Sequence, residues 1–355
     1  MLTNELKLFA AGNTDFYVAF EEYYNCKADS TRVPSVPMYE MSEKINRGFF
    51  GEIERLSGAS RTENPNSWMA NPMVQWASFA IVNEVTNSLV PQYMTNSLSP
   101  FVDLKTVGYG DVVKFDIKPR ALYTVSRGGQ GERTSFRQKS FKGTVTVAPI
   151  EHLVTVFADM YAVLAGKEDI ADFVRLAVIS IEREMTADAI NALATGLDTA
   201  NNYPAQFIET GAFNAQTAIK LGQRIQAYNY GAKPVIMGTA AALSKVLPDY
   251  SAGFRMNVAG ADGAVRIMKD FYGFDLFELT QIPSGNNFGT LLDDNTLYFV
   301  SPAVDKVVKG VMSNTLTNSN QFYDNADISQ NFTMKRLWDF IFISAGYAGK
   351  YVITA

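Results

Sequence analysis

Histidine and cysteine carry much of the nucleophilic, general-base and metal chemistry in proteins. This chain has one of each, His152 and Cys26. A Ser–His–acid triad would have to use His152, and no G-x-S-x-G nucleophile motif accompanies it. The residue lies in Ile150-Glu-His-Leu-Val154 and reads as structural. A zinc site needs three or four His, Cys or carboxylate ligands, so one here could only be carboxylate-rich. Gly108-Tyr-Gly110 and Gly128-Gly-Gln-Gly131 do not stand between a strand and a helix, so a dinucleotide fingerprint fails on context. Asp198-Thr-Ala-Asn-Asn202 lacks the ligand spacing of a calcium loop. Glu21–Glu22 and Asp293–Asp294 are adjacent pairs of the kind common on solvated surfaces. No catalytic, cofactor-binding or metal-binding residue is assigned, and the expectation is a protein that is not an enzyme and needs no cofactor.

Composition narrows the class further. The 355 residues are 47% hydrophobic and 19% charged, ordinary values for a globular protein. A net charge of −5 argues against nucleic-acid binding through a broadly basic surface. A lone cysteine makes no internal disulfide and suits a reducing compartment. The N-terminus lacks the basic and apolar regions of a signal peptide, and no apolar run is long enough for a bilayer, so a cytosolic protein is expected.

The residues that stand out lie in Gly108–Pro149, which reads as one long β-hairpin. Val113, Phe115 and Ile117 alternate with Lys114, Asp116 and Lys118, the period of a half-buried strand. The return strand sets Phe141, Val145 and Val147 against Lys142, Thr144 and Thr146, and the parity of Phe136 predicts a bulge between it and Phe141. The tip, Ser126–Gly131, is glycine-rich. Asp111–Val147 carries a net charge of +5, which leaves −10 for the rest of the chain. A basic arm without a core of its own is expected to lie on an acidic neighbouring subunit. A solvated loop is the plainer alternative. The candidate contact residues are Lys118, Arg120, Arg127, Arg133, Arg137, Lys139 and Lys142.

The elements around the hairpin follow from periodicity. Residues 1–66 look irregular, an arm packed by aromatic anchors such as Phe16, Phe20, Tyr23 and Phe49, with a subdomain of short helices as the alternative. Pro72–Val90 predicts a helix with proline in its first turn. Ile170, Phe173, Val174, Ala177, Ile181, Met185 and Leu193 place a long spine helix over about Ile170–Leu197, a rod of roughly 40 Å. From Asn201 short strands and helices alternate: Gln216–Tyr228 helical, Pro234–Met237 a strand, Thr239–Val246 helical, then strands at Phe274–Ile282 and Leu297–Val300 and a further element over Pro302–Val311. Leu337–Ser344 is apolar on both faces and predicts a central strand, with Tyr351–Ile353 extending it.

This order of parts, with Gly108–Phe115 opening the hairpin and Lys233-Pro-Val-Ile-Met-Gly238 entering the later α/β segment, resembles the major capsid proteins of tailed bacteriophages, the Hong Kong 97-type fold. The resemblance implies an α+β fold with an N-terminal arm (1–70), a peripheral domain with the spine helix (71–107, 150–200 and 316–355), an extended loop (108–149) and an inserted axial domain (201–315). It places Asp249–Asp262, with Arg255, Asn257 and Asp262, at the capsomer centre. It implies self-assembly into pentamers and hexamers of an icosahedral shell in the virion, assembled in host cytoplasm. The implied partners are further copies of the chain, portal and scaffolding proteins, packaged double-stranded DNA and a decoration protein, with no membrane. The alternatives are an encapsulin-type nanocompartment shell of the same fold and an α/β enzyme with a β-arm for dimerisation.

Overall fold

The computed structural model describes residues 14–28, 33–61, 67–68, 71–97, 101–108, 111–117, 123, 125, 137–139, 142–158, 170–246, 270–284, 288–313, 317–320, 330–343 and 346–354. The N-terminal region departs from the sequence reading. It forms two helices, α1 (Thr14–Ala28) and α2 (Met38–Ser57), rather than an irregular arm. In α2 the buried residues Met41, Ile45, Phe49 and Ile53 recur every four positions, which turns one face of the helix inward. Gly58 ends α2 with φ of 68°, and its N–H donates to the Glu54 carbonyl. The aromatic anchors are as expected: Phe16, Phe20, Tyr23 and Phe49 are all buried.

Helix α3 (Pro72–Ser97) begins at the expected proline. The Asn71 side chain accepts the Met73 N–H at 2.9 Å and caps the first turn. Strands β1 (Val102–Val107), β2 (Val113–Ile117), β3 (Gly143–Val147) and β4 (Ile150–Ala158) follow. The spine helix, α4 (Ile170–Gly196), then runs for 27 residues. Val174, Ala177, Ile181, Met185 and Leu193 of its predicted stripe are buried.

The second half of the chain contains β5 (Ile208–Gly211), α5 (Ala215–Tyr228), β6 (Val235–Gly238), α6 (Ala240–Ser244), β7 (Asp270–Phe271), β8 (Phe274–Glu278), β9 (Pro283–Ser284), β10 (Gly289–Thr290) and β11 (Thr296–Val300). It ends with β12 (Val308–Ser313), β13 (Thr317–Asn320), β14 (Gln330–Phe342) and β15 (Gly349–Ile353).

Two larger sheets organise these elements. The first has β14 at its centre. β12 and β13 pair with one side of β14 and β4 with the other, and β1 adds in parallel to β12. Helix α4 packs across it, with α3, α2 and α1 stacked beyond. The second runs β5-β15-β11-β6-β8-β7. The predicted central strand at Leu337–Ser344 is present as the end of β14. Tyr351–Ile353 does not extend it: after the bend these residues become β15, inserted between β5 and β11 of the second sheet. The later part of the Pro302–Val311 segment crosses the other way, as β12 in the first sheet. Both sheets contribute to one contiguous hydrophobic core.

Two glycines test this packing in opposite directions. A Cβ on Gly310, in the fully buried β12, would lie 2.6 Å from Phe340 Cε1 and 2.9 Å from Leu104 Cδ1. A Cβ on Gly51, within α2, would meet nothing within 4 Å. Gly310→Val is expected to lower stability by about 1–3 kcal/mol through overpacking. Gly51→Ala is expected to raise it by about 0.5–1 kcal/mol through helix propensity. Urea unfolding of both variants beside the parent chain measures the two shifts.

Candidate functional site

The two predicted strands of the hairpin pair with each other. Val113 faces Val147, Phe115 faces Val145 and Ile117 faces Gly143 in an antiparallel pair. Its root does not wait for a neighbouring subunit. Phe115 and Val147 are buried against Val311 and Ile343 of the chain's own first sheet, with Val107, Val113, Ile117, Val145 and Ile341 packed around them. The expectation that the hairpin needs another subunit to lie on is therefore corrected for this part. One apolar face of a two-stranded ribbon is enough to seat it on a sheet.

Cations fix the seat. The Phe115 ring lies 4.4 Å from Lys105 Nζ and 5.7 Å from Lys309 Nζ, measured to the ring centroid. Such contacts are each worth about 0.5–1 kcal/mol at exposed sites and more when desolvated. Lys309 is buried, and it donates to Asp103 Oδ2 at 2.9 Å and to Asp305 Oδ1. Asp103 and Lys309 are register partners on β1 and β12. The two carboxylates and the aromatic face compensate the buried ammonium.

Beyond the root, Arg137, Lys139 and Lys142 are exposed. Lys118, Arg120, Arg127 and Arg133 lie outside the described residues, as does the bulge expected between Phe136 and Phe141. Arg255, Asn257 and Asp262 also lie outside them. Tyr123 and Val125, which a count of charge leaves out, are 58% and 88% exposed. They are two apart in sequence, and that spacing was the available signal. Exposed apolar side chains are suited to burial against a partner.

The groups that might have carried chemistry have structural roles. The His152 ring stacks on Trp338 at 3.7 Å between centroids and 6° between planes. Trp338 Nε1 donates to Asp188 Oδ2 of the spine helix at 2.8 Å. Asp293 accepts from the Asn295 N–H and the Thr296 hydroxyl, and Asp294 accepts from Thr239 and Gln281, so this pair holds the turn before β11. Hydrogen bonds from Ser35, its side chain first and its N–H second, lower the pKa of Glu22. Cys26 is half-buried and free. Among the described residues no cluster of three or more His, Cys, Asp or Glu could hold a metal ion. No helix among them is long and apolar enough to cross a membrane.

Helix α1 is pinned to the spine helix by two consecutive tyrosines. Tyr23 donates to Asp172 Oδ1 and Tyr24 to Glu182 Oε1, both at 2.9 Å. Burial raises the pKa of Asp172, but Tyr23 and Arg175 outweigh it and hold the group below its usual range. Among the described residues no cation pairs with Glu182. Burial pushes its carboxyl up to about 7, and the Tyr24 hydrogen bond offsets this only in part. The folded state thus holds a proton on Glu182 at pH values where the unfolded chain has released it, so this group's contribution to stability falls as pH rises from about 4.5 to 7. Glu182→Gln should match the parent near pH 4.5 and exceed it at pH 8 by at most about 3 kcal/mol. Denaturant titrations at the two pH values check the sign.

Comparison with known proteins gives three kinds of result. Residues 43–258 match the family described as "SPbeta prophage-derived putative capsid protein YonB". No curated protein matches. Among solved structures, the capsid of a native GTA particle is similar with a TM-score of 0.52, at 10% identity over 74% of this chain and 91% of that one. The mature capsid of bacteriophage PhiM1 gives 0.48 at 15% identity, over 73% and 87%. The virus-like particle of Pyrococcus furiosus gives 0.47 at 10% identity, over 77% and 98%.

Proposed function

The chain belongs to the phage capsid-protein family that includes YonB of the SPbeta prophage and has the Hong Kong 97-type α+β fold, and from that premise we propose how its parts build a shell. It is a capsid protein, a component of the virion. The observation that carries the reading is the hairpin: rooted by Phe115 and Val147 on its own sheet, it presents Tyr123, Val125, Arg137, Lys139 and Lys142 outward. An arm fixed at one end with an exposed, basic and partly apolar free portion suits the overlap of one subunit on the next.

In this reading residues 1–70 are the arm, 108–149 the extended loop and 201–315 the axial domain, with the remainder peripheral. Two strands trade places between the domains: β12 belongs to the peripheral sheet and β15 to the axial one. Arg127, Arg133 and Arg137 would contact carboxylates of a neighbour, because arginine's forked donors suit bidentate pairing, with Lys118, Arg120, Lys139 and Lys142 in the same contact surface. Arg255, Asn257 and Asp262 would meet their counterparts at the capsomer centre. Pentamers and hexamers would close around double-stranded DNA. Portal, scaffolding and decoration proteins would join during assembly in the host cytoplasm. Closure multiplies modest contacts, so no single patch need be strong.

No residue is assigned a catalytic role: His152 is stacked on Trp338, and Asp293 and Asp294 hold a turn. His152→Gln should alter stability or assembly alone. Loss of a nucleotide- or ester-hydrolysing activity in that variant would count against this reading and favour the enzyme alternative.

The decisive experiment is electron microscopy of the purified chain beside a variant lacking residues 122–133. The full chain should form closed shells. The deletion should leave a folded, soluble subunit, because the root contacts remain, and that subunit should fail to make stable shells. Normal shells from the deletion variant would sink the arm reading. Small particles alone from the full chain would sink the shell reading.

A further inference from the structure

Among the described residues, the buried side-chain polar atoms without a hydrogen-bond partner are Nε, Nη1 and Nη2 of one residue, Arg336. Its exposure is 1%. It sits in β14 with its backbone opposite His152 of β4. Cross-strand partners point to the same face of a sheet, so Arg336 shares the face of His152 and Trp338, under the spine helix. Burial pulls its pKa down to about 10, which leaves it charged at neutral pH. A buried charge without a counter-charge is among the costliest features a fold can keep.

The carboxylates of the spine helix and β4 are largely engaged elsewhere. Asp188 accepts from Trp338, Glu182 from Tyr24, and Asp172 from Tyr23 and Arg175. Glu151 pairs with Lys335. Asp339 lies on the opposite face of β14 by parity. Glu184 is exposed at the wall of a groove of about 360 Å³ between the spine helix and β4. His152, Val154 and Trp338 line that groove from the sheet, and Ser180 and Arg183 line it from the helix. His152 stands opposite Arg336, and Val154 and Trp338 are each two positions along from that pair, so the neighbours of the buried Arg336 line the groove. Ile150 and Leu153 of β4 are 60% and 62% exposed next to it.

We propose that Arg336 is kept unpaired in the free subunit so that an acidic side chain from a second copy, entering this groove during assembly, completes an ion pair there. The proposal rests on the shell reading above. The occupant follows from charge. The buried Arg336 stands beside the groove with no hydrogen-bond partner among the described residues, the chain outside its hairpin carries a net −10, and identical copies are what a shell supplies.

Arg336→Met tests this in two independent ways. Replacing an uncompensated buried ion by an apolar side chain stabilises a fold. The melting temperature of the free Arg336→Met subunit should therefore rise by about 2 °C or more. Its shell yield should fall by about tenfold or more. In wild-type shells, a map at side-chain resolution should place a carboxylate of another copy within about 4 Å of the guanidinium. A lower melting temperature, or a variant that does not fold, would mean that Arg336 already has a partner within the subunit, such as Glu184, and overturns the proposal. Wild-type shell yield from the variant, or a shell with no carboxylate of another copy at Arg336, overturns it as well. If the wild-type chain forms no shells, the shell reading fails. The melting comparison stands apart from that result and still reports on Arg336.

Discussion

The packing of the spine helix on strand β14 is the constraint from which the rest of the structure follows. β14 pairs with three other strands of the first sheet, β4, β12 and β13, and the spine helix packs on it. The two are locked by Trp338, whose ring stacks on His152 and whose N–H reaches Asp188, and by Gly196, where any side chain would collide with Phe342. The hairpin inherits its position from this unit, because Val311 and Ile343, on which Phe115 and Val147 sit, belong to β12 and to the residue just after β14. The N-terminal helices inherit theirs through the tyrosine hydrogen bonds to Asp172 and Glu182. A shift between the spine helix and β14 would therefore move the hairpin and the arm helices together.

Electrostatics divides this layer into settled and unsettled charges. Lys309 is buried but compensated twice over, and it serves to hold Phe115. Glu182 is partly buried with only a phenol for company, and its raised pKa is the result. Arg336 is buried with no hydrogen-bond partner among the described residues. A subunit optimised for solitary stability would have replaced the last two with apolar or neutral side chains. Their retention sits naturally in a protein whose working state has more surfaces in contact than the isolated chain.

Much of this was legible in the sequence where periodicity was strong. The alternation Val113-Phe115-Ile117 marked the first hairpin strand and its apolar face. The three- and four-residue steps from Val174 to Leu193 placed the spine helix to within a residue or so. Two failures have physical causes. The prolines and polar residues of 1–66 masked the four-residue spacing Met41-Ile45-Phe49-Ile53, which was the helix signal there. The assignment of Tyr351–Ile353 failed because sheet membership depends on a chain reversal, and an apolar strand pattern is the same in either sheet. The candidate contact surface was visible as charge, since charge can be counted. Its apolar members, Tyr123 and Val125, and the isolation of Arg336 were not, because exposure and the absence of partners are properties of the folded chain.

The strand exchange has a kinetic consequence. Both larger sheets take an interior strand from the last residues of the chain, β14 for the first and β15 for the second. During synthesis, neither sheet can close until these strands have left the ribosome. A fragment ending before residue 330 lacks an interior strand of each sheet. The order of strands along the chain thus ties closure of both sheets to the emergence of residues 330–353.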